Sequence, residues 1–130
     1  MYTRAYQDNG RLLLLYGSGV LTGAELVSTT RSLVENEDAA RRVDTVLVLL
    51  EEITRLDVSA DDIRKVVEID RRLVELIPRA VVSIVAPKDD VFGMSRMWEM
   101  MVEFTGWKTR VFRTRTEADA WLAETRRSTT

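Results

Sequence analysis

Cysteine and histidine are both missing from this 130-residue chain. Without cysteine there are no disulfides, no thiolate nucleophiles and no cysteine-based zinc sites. Without histidine the commonest general base and metal ligand is gone, so Ser-His-Asp and Cys-His chemistries are excluded. An enzyme built from this chain would have to work with carboxylates, lysine and arginine alone. A large charge of one sign is missing too: the formal net charge is -2, with 31% charged residues of both signs interspersed. That balance argues against a nucleic-acid binder, which would carry a basic excess. No apolar run approaches the ~20 residues needed to cross a bilayer, and Met1-Tyr2-Thr3-Arg4 leads into alternating sequence with no signal peptide. The expectation is a cytoplasmic protein without membrane insertion.

What is present is enough apolar residue, 45%, for one domain with a real core. Residues 1–125 are expected to form it, with a frayed tail at 126–130. Tyr2 to Gln7 alternates like a strand. Asn9-Gly10 then signals a two-residue hairpin, and Arg11 to Tyr16 reads as a buried second strand broken by Gly17-Ser18-Gly19. Thr22 and Glu25 form a capping box for a helix to about Asn36, with Leu21 and Leu26 as its hydrophobic staple. A charged segment, Glu37 to Arg42, precedes a third strand, Val46 to Leu50, apolar on both faces and so central in a sheet.

A second helix opens at Ser59, with Ser59 and Asp62 as capping box and Val58 and Ile63 as staple. Its apolar stripe is Ile63, Val66, Leu73 and Ile77. Pro78 follows it. The fourth strand is Ala80 to Ala86. A third helix runs from near Asp89 to Thr105 and is capped by Gly106. Trp107 to Arg113 is the fifth strand. A last helix, Glu117 to about Thr125, packs through Ala118, Trp121 and Leu122 and is capped by Thr114 or Thr116. The order β-β-α-β-α-β-α-β-α predicts an α/β fold: an open mixed sheet, mostly parallel with one antiparallel edge strand, packed against helices.

Three local patterns, covering nearly the whole chain, resemble the STAS fold of the anti-sigma-factor antagonist family, in its SpoIIAA-like (STAS/SEC14-like) branch. They are Gly19-Val20-Leu21-Thr22 at the first helix, Val46 to Leu50 followed by Asp57-Val58-Ser59-Ala60, and Val91-Phe92-Gly93-Met94-Ser95 continuing to Gly106-Trp107-Lys108-Thr109-Arg110-Val111-Phe112 with Ala118 to Leu122. The second pattern is similar to the family's Asp-Ser-Ser-Gly turn, whose second serine is phosphorylated by a partner kinase. The resemblance implies that role for Ser59, with Asp57 as the leading acid. Val58 stands where the family has the first serine and Ala60 where it has glycine. Asp61 and Asp62 replace apolar residues and would repel a phosphate. The residues themselves give Ser59 a second role, that of a plain helix cap.

Glu51, Glu52, Asp57, Asp61 and Asp62 form a carboxylate-rich rim, but their spacing matches no metal loop, and neither a metal nor a cofactor is expected. Asp70 interrupts the stripe of the second helix and needs a partner, either an arginine or the polar end of a ligand. The third helix places Val91, Met94, Met97, Trp98, Met101 and Phe104 on one broad apolar face, with Phe92 and Met100 off it. That face is core, a homodimer surface, or an apolar pocket lined by Met94, Met97, Trp98, Met101 and Trp121. The leading expectation is a non-catalytic STAS-like interaction module that binds a protein partner or itself. The alternative is a small carrier or sensor of an apolar, lipid-like ligand. An enzyme ranks last, because no residue set lays out acid, base and nucleophile.

Overall fold

The computed structural model describes residues 1–128. Its centre is a five-stranded sheet in the order β1-β2-β3-β4-β5. The strands are β1 (Tyr2–Gln7), β2 (Leu12–Thr22), β3 (Thr45–Asp57), β4 (Val81–Val85) and β5 (Lys108–Phe112). The β1–β2 pair is antiparallel and the other three pairs are parallel. The helices are α1 (Gly23–Glu35), α2 (Glu37–Ala40), α3 (Ala60–Leu76), α4 (Asp89–Met101) and α5 (Arg115–Ser128).

Each parallel connection carries a helix, and right-handed crossovers to successive neighbours put those helices on one face. Leu13, Leu15, Val46, Val48, Val82 and Ile84 point to that face and pack with residues of α1, α3 and α4 in the main core. The other face holds Leu47, Leu49, Val81 and Val85. α5 covers them with Ala118 and Leu122, and Trp121 packs alongside. Because successive side chains of a strand alternate sides, both cores come from the same apolar runs.

Several local expectations are corrected. Asp8 and Asn9 both have positive φ, and Gly10 N–H donates to Gln7 O at 3.1 Å, so the tight turn is centred on Asp8-Asn9 rather than Asn9-Gly10. Gly17-Ser18-Gly19 does not end β2. The strand passes through with shifts of register at Tyr16/Ser18 and Gly19/Val20, so these residues act as bulges. β3 runs on to Asp57, eight residues past its last partner in β4. The charged segment after α1 folds into the short α2. α4 stops at Met101, and a 3-10 turn, Glu103–Thr105, leads to Gly106, which takes the left-handed conformation expected of its cap. α5 is longer than expected and stays helical through Ser128, while the remainder of the expected tail, residues 129–130, lies outside the described residues.

Candidate functional site

Two places gather the candidate residues. The first is the corner where β3 gives way to α3. Beyond β4, β2 and β3 continue as a two-stranded ribbon, paired from Ser18↔Glu52 to Thr22↔Asp57. Each strand of the ribbon ends in a capped helix. Thr22 Oγ1 accepts from Glu25 N at 3.1 Å, and Glu25 Oε2 accepts from Thr22 N at 3.0 Å. Ser59 Oγ accepts from Asp62 N at 3.1 Å, and Asp62 Oδ2 accepts from Ser59 N at 2.9 Å. The two starts are pressed together. A β-carbon on Gly23 would collide with the Asp62 carboxylate, so glycine is what permits the approach.

These contacts settle the electrostatics of the corner. The backbone N–H of Ser59 holds the Asp62 carboxyl below its ordinary pKa, and that of Thr22 does the same for Glu25. A helix N-terminus attracts anions. Here each one is already served by a carboxylate of its own helix. Ser59 and Asp57 are exposed, but the Ser59 hydroxyl is engaged as an N-cap. Among the described residues no three acidic groups gather as metal ligands would, so the carboxylates of the rim do not converge.

The second place is a pocket of about 100 Å³ inside the main core, walled by β1–β4, α1, α3 and α4. Its lining is aliphatic and aromatic apart from a few polar side chains. Asp70 is 3% exposed and projects from α3. Its partner is not an arginine: Trp98 Nε1–H donates to Asp70 Oδ2 at 2.9 Å from α4. Arg71 and Arg72 instead point outward to Glu68, Glu75 and Glu37. Burial pushes the Asp70 carboxyl up to about 7, against a smaller opposing pull from the Trp98 hydrogen bond. Half-buried Tyr2 lines the same pocket, and its phenol is raised by burial and by the Asp70 charge. Ser95 Oγ is buried there with no hydrogen-bond partner.

The face expected on α4 is thereby re-aimed. Met94 and Trp98 do line the pocket. Met97, Met101 and Phe92 are half-buried and pack against the core, with Arg113 over the Phe92 ring at 4.2 Å. The fully buried positions of α4 are Val91 and Ser95, not the methionines. Phe104 is 50% exposed, because the 3-10 turn after Met101 rotates it outward. Trp121 is not in the pocket. It lies on the opposite face of the sheet against Phe112, with ring centroids 5.8 Å apart. Trp121 and exposed Met100 border an open depression along β5 instead. Tyr2 and Ser95 were not among the sequence candidates. Ser95 carried a signal all the same, since it stands four residues after Val91 and seven before Val102, on the buried stripe of its helix.

The comparisons with known proteins agree on the fold. No family model matches the chain, and no curated protein matches it. Among solved structures, an uncharacterised DUF3478-family protein with a SpoIIAA-like fold from Shewanella loihica is similar at 17% identity and TM-score 0.56, with 94% of this chain and 92% of that one covered. The Bacillus cell fate determinant SpoIIAA in its phosphorylated form is similar at 14% identity and TM-score 0.57, covering 94% and 99%. The anti-sigma factor antagonist SpoIIAA in its unphosphorylated form is similar at 13% identity and TM-score 0.53, covering 95% and 98%. The chain has the SpoIIAA-like fold.

Proposed function

We propose that this chain is a non-catalytic regulatory module that binds a protein partner through the corner joining the β2–β3 ribbon to α1 and α3. One observation carries the reading: the corner is outward-facing yet rigid, with two helix starts locked by reciprocal caps and by the Gly23–Asp62 contact. A surface held this way loses little freedom on docking. It offers a partner the exposed Val20, at 44%, paired across the ribbon with exposed Arg55, and beyond it exposed Asp57 and the Asp61–Arg64 ion pair. A partner with an apolar seat rimmed by charges of both signs would match it.

SpoIIAA, which shares the fold, is described as an anti-sigma factor antagonist and is known in phosphorylated and unphosphorylated forms. In this chain we assign Ser59 the work of a cap. Its hydroxyl already serves Asp62 N, and a phosphate would meet the carboxylates of Asp57, Asp61 and Asp62. Fold alone does not fix function, so the test is direct. The protein is purified from its own host with its bound partner, and its mass is measured under native and denaturing conditions. The expected result is an unmodified chain with a protein bound, and loss of that protein in Val20→Asp and Asp61→Arg. A phosphate found on Ser59 would overturn the cap assignment. Retention of the partner by both variants would overturn the docking site, and a native mass of two copies would make the partner the chain itself.

A further inference from the structure

The pocket at Asp70 leaves three observations unused by any partner-binding corner. First, a buried carboxyl group has a single hydrogen-bond donor among the described residues, Trp98 Nε1–H. Second, the pocket lining contains no lysine or arginine. Its only titratable members are Asp70 from α3 and Tyr2 from β1, and the helices α1 and α4 add none. Third, Ser95 Oγ lines the same pocket, is buried, and is unpartnered. A buried acid with one donor and a buried hydroxyl with no partner are costly to the fold. Such groups point to a bound species that completes them.

The size and chemistry of that species can be read from the walls. About 100 Å³ is smaller than the roughly 150 Å³ of an engineered apolar cavity that accepts benzene. It is well below the roughly 300–1,000 Å³ of common ligand pockets, so an extended lipid chain does not fit. A branched molecule of about five heavy atoms does. Asp70 and Ser95 can both accept hydrogen bonds, and Tyr2 offers a third oxygen. Three acceptors, one of them able to carry a negative charge, suit the three N–H donors of an ammonium group. Leu73, Val48 and Ile84 surround the remainder.

We propose that this pocket binds a short branched aliphatic ammonium ion, its charged head on Asp70 and Ser95 and its hydrocarbon body against the core. The ammonium supplies the counter-charge that the pocket lining does not provide.

The three tryptophans make the test site-specific. The indole N–H signals of the full-length protein are followed by 1H–15N NMR at about pH 8, where the acid is ionised, during titration with isobutylammonium chloride and, separately, with isobutanol as neutral isostere. The expected result is a saturable shift of the Trp98 signal with the ammonium and binding about tenfold or more weaker with the alcohol, while Trp121, across the sheet, stays still. Asp70→Asn is expected to remove the preference for the ammonium, and Ser95→Ala to weaken binding several-fold. An undisturbed Trp121 signal in both variants reports that they remain folded. No saturable shift with either probe would mean a pocket that holds only water, and the proposal would fail. Equal binding of the alcohol, or ammonium binding undiminished in Asp70→Asn, would also overturn it.

Discussion

Asp70→Asn should gain stability relative to the parent chain progressively from about pH 4 to 7, keep that gain at higher pH, and show no pH-dependent difference from it below about pH 4. The carboxyl of Asp70 rises from an ordinary 3.8 to about 7 on folding, chiefly through burial. Below about pH 4 both folded and unfolded chains hold the proton, and the site contributes fully. Between about 4 and 7 the unfolded chain has released it while the folded chain keeps it, so folding must take up a proton. Each pH unit then costs about 1.4 kcal/mol, and the loss levels off at about 4 kcal/mol once the folded acid also ionises. Asparagine has nearly the same shape, and its carbonyl can accept the Trp98 N–H, but it carries no charge to bury. Urea unfolding of both proteins, followed by tryptophan fluorescence from about pH 4 to 8.5, measures the difference. Glu25 and Asp62 act in the opposite sense: held below their ordinary values, they lose stability as pH falls, but they do so equally in both proteins and cancel. A stability difference that does not change across this range would refute the account of Asp70 as an acid with no counter-charge of its own.

Two further outcomes follow from the corner. Ser59→Ala should fold normally and lose about 1 kcal/mol, the usual value of an N-cap; failure to fold would show that the serine does more than cap. Gly23→Ala should destabilise by about 1–2 kcal/mol by dislodging the Asp62 cap, although alanine ordinarily favours a helix over glycine. Its cost should shrink in an Asp62→Ala background, and a double-mutant cycle by chemical denaturation that shows simple additivity would count against the Gly23–Asp62 contact.

The architecture was legible in the sequence because each element carried its own punctuation. Thr22/Glu25 and Ser59/Asp62 marked helix starts and the doubly apolar Val46 to Leu50 marked a central strand, and these hold in the structure; Gly106 takes its left-handed conformation, but at the end of a 3-10 turn rather than of α4. The misreadings came where long-range pairing outweighs local preference. Gly17 and Gly19 look like chain breaks until a neighbouring strand holds them, and β3 extends past Leu50 because β2 runs beside it to Asp57. Asp70 announced itself by breaking an apolar stripe, but its partner lay 28 residues away on another helix, a distance that periodicity cannot bridge. Trp121 packs with Ala118 and Leu122 as its helix spacing predicts, but the alternative that also put it in the α4 pocket fails, since amphipathic spacing says which side of a helix is apolar and not which face of the sheet it meets.

The strands lie in the sheet in the order in which they occur along the chain, and this has a consequence for how the protein is made. During synthesis every new strand can dock on the one just finished, with its helix closing behind it, so the main core can grow from its first hairpin without waiting for a distant segment. The second face cannot. Leu47, Leu49, Val81 and Val85 are in place long before Ala118 and Leu122 arrive to cover them. Until α5 leaves the ribosome, the nascent chain is a sheet dressed on one side and bare on the other. A chain cut short before Ala118 would leave that face uncovered.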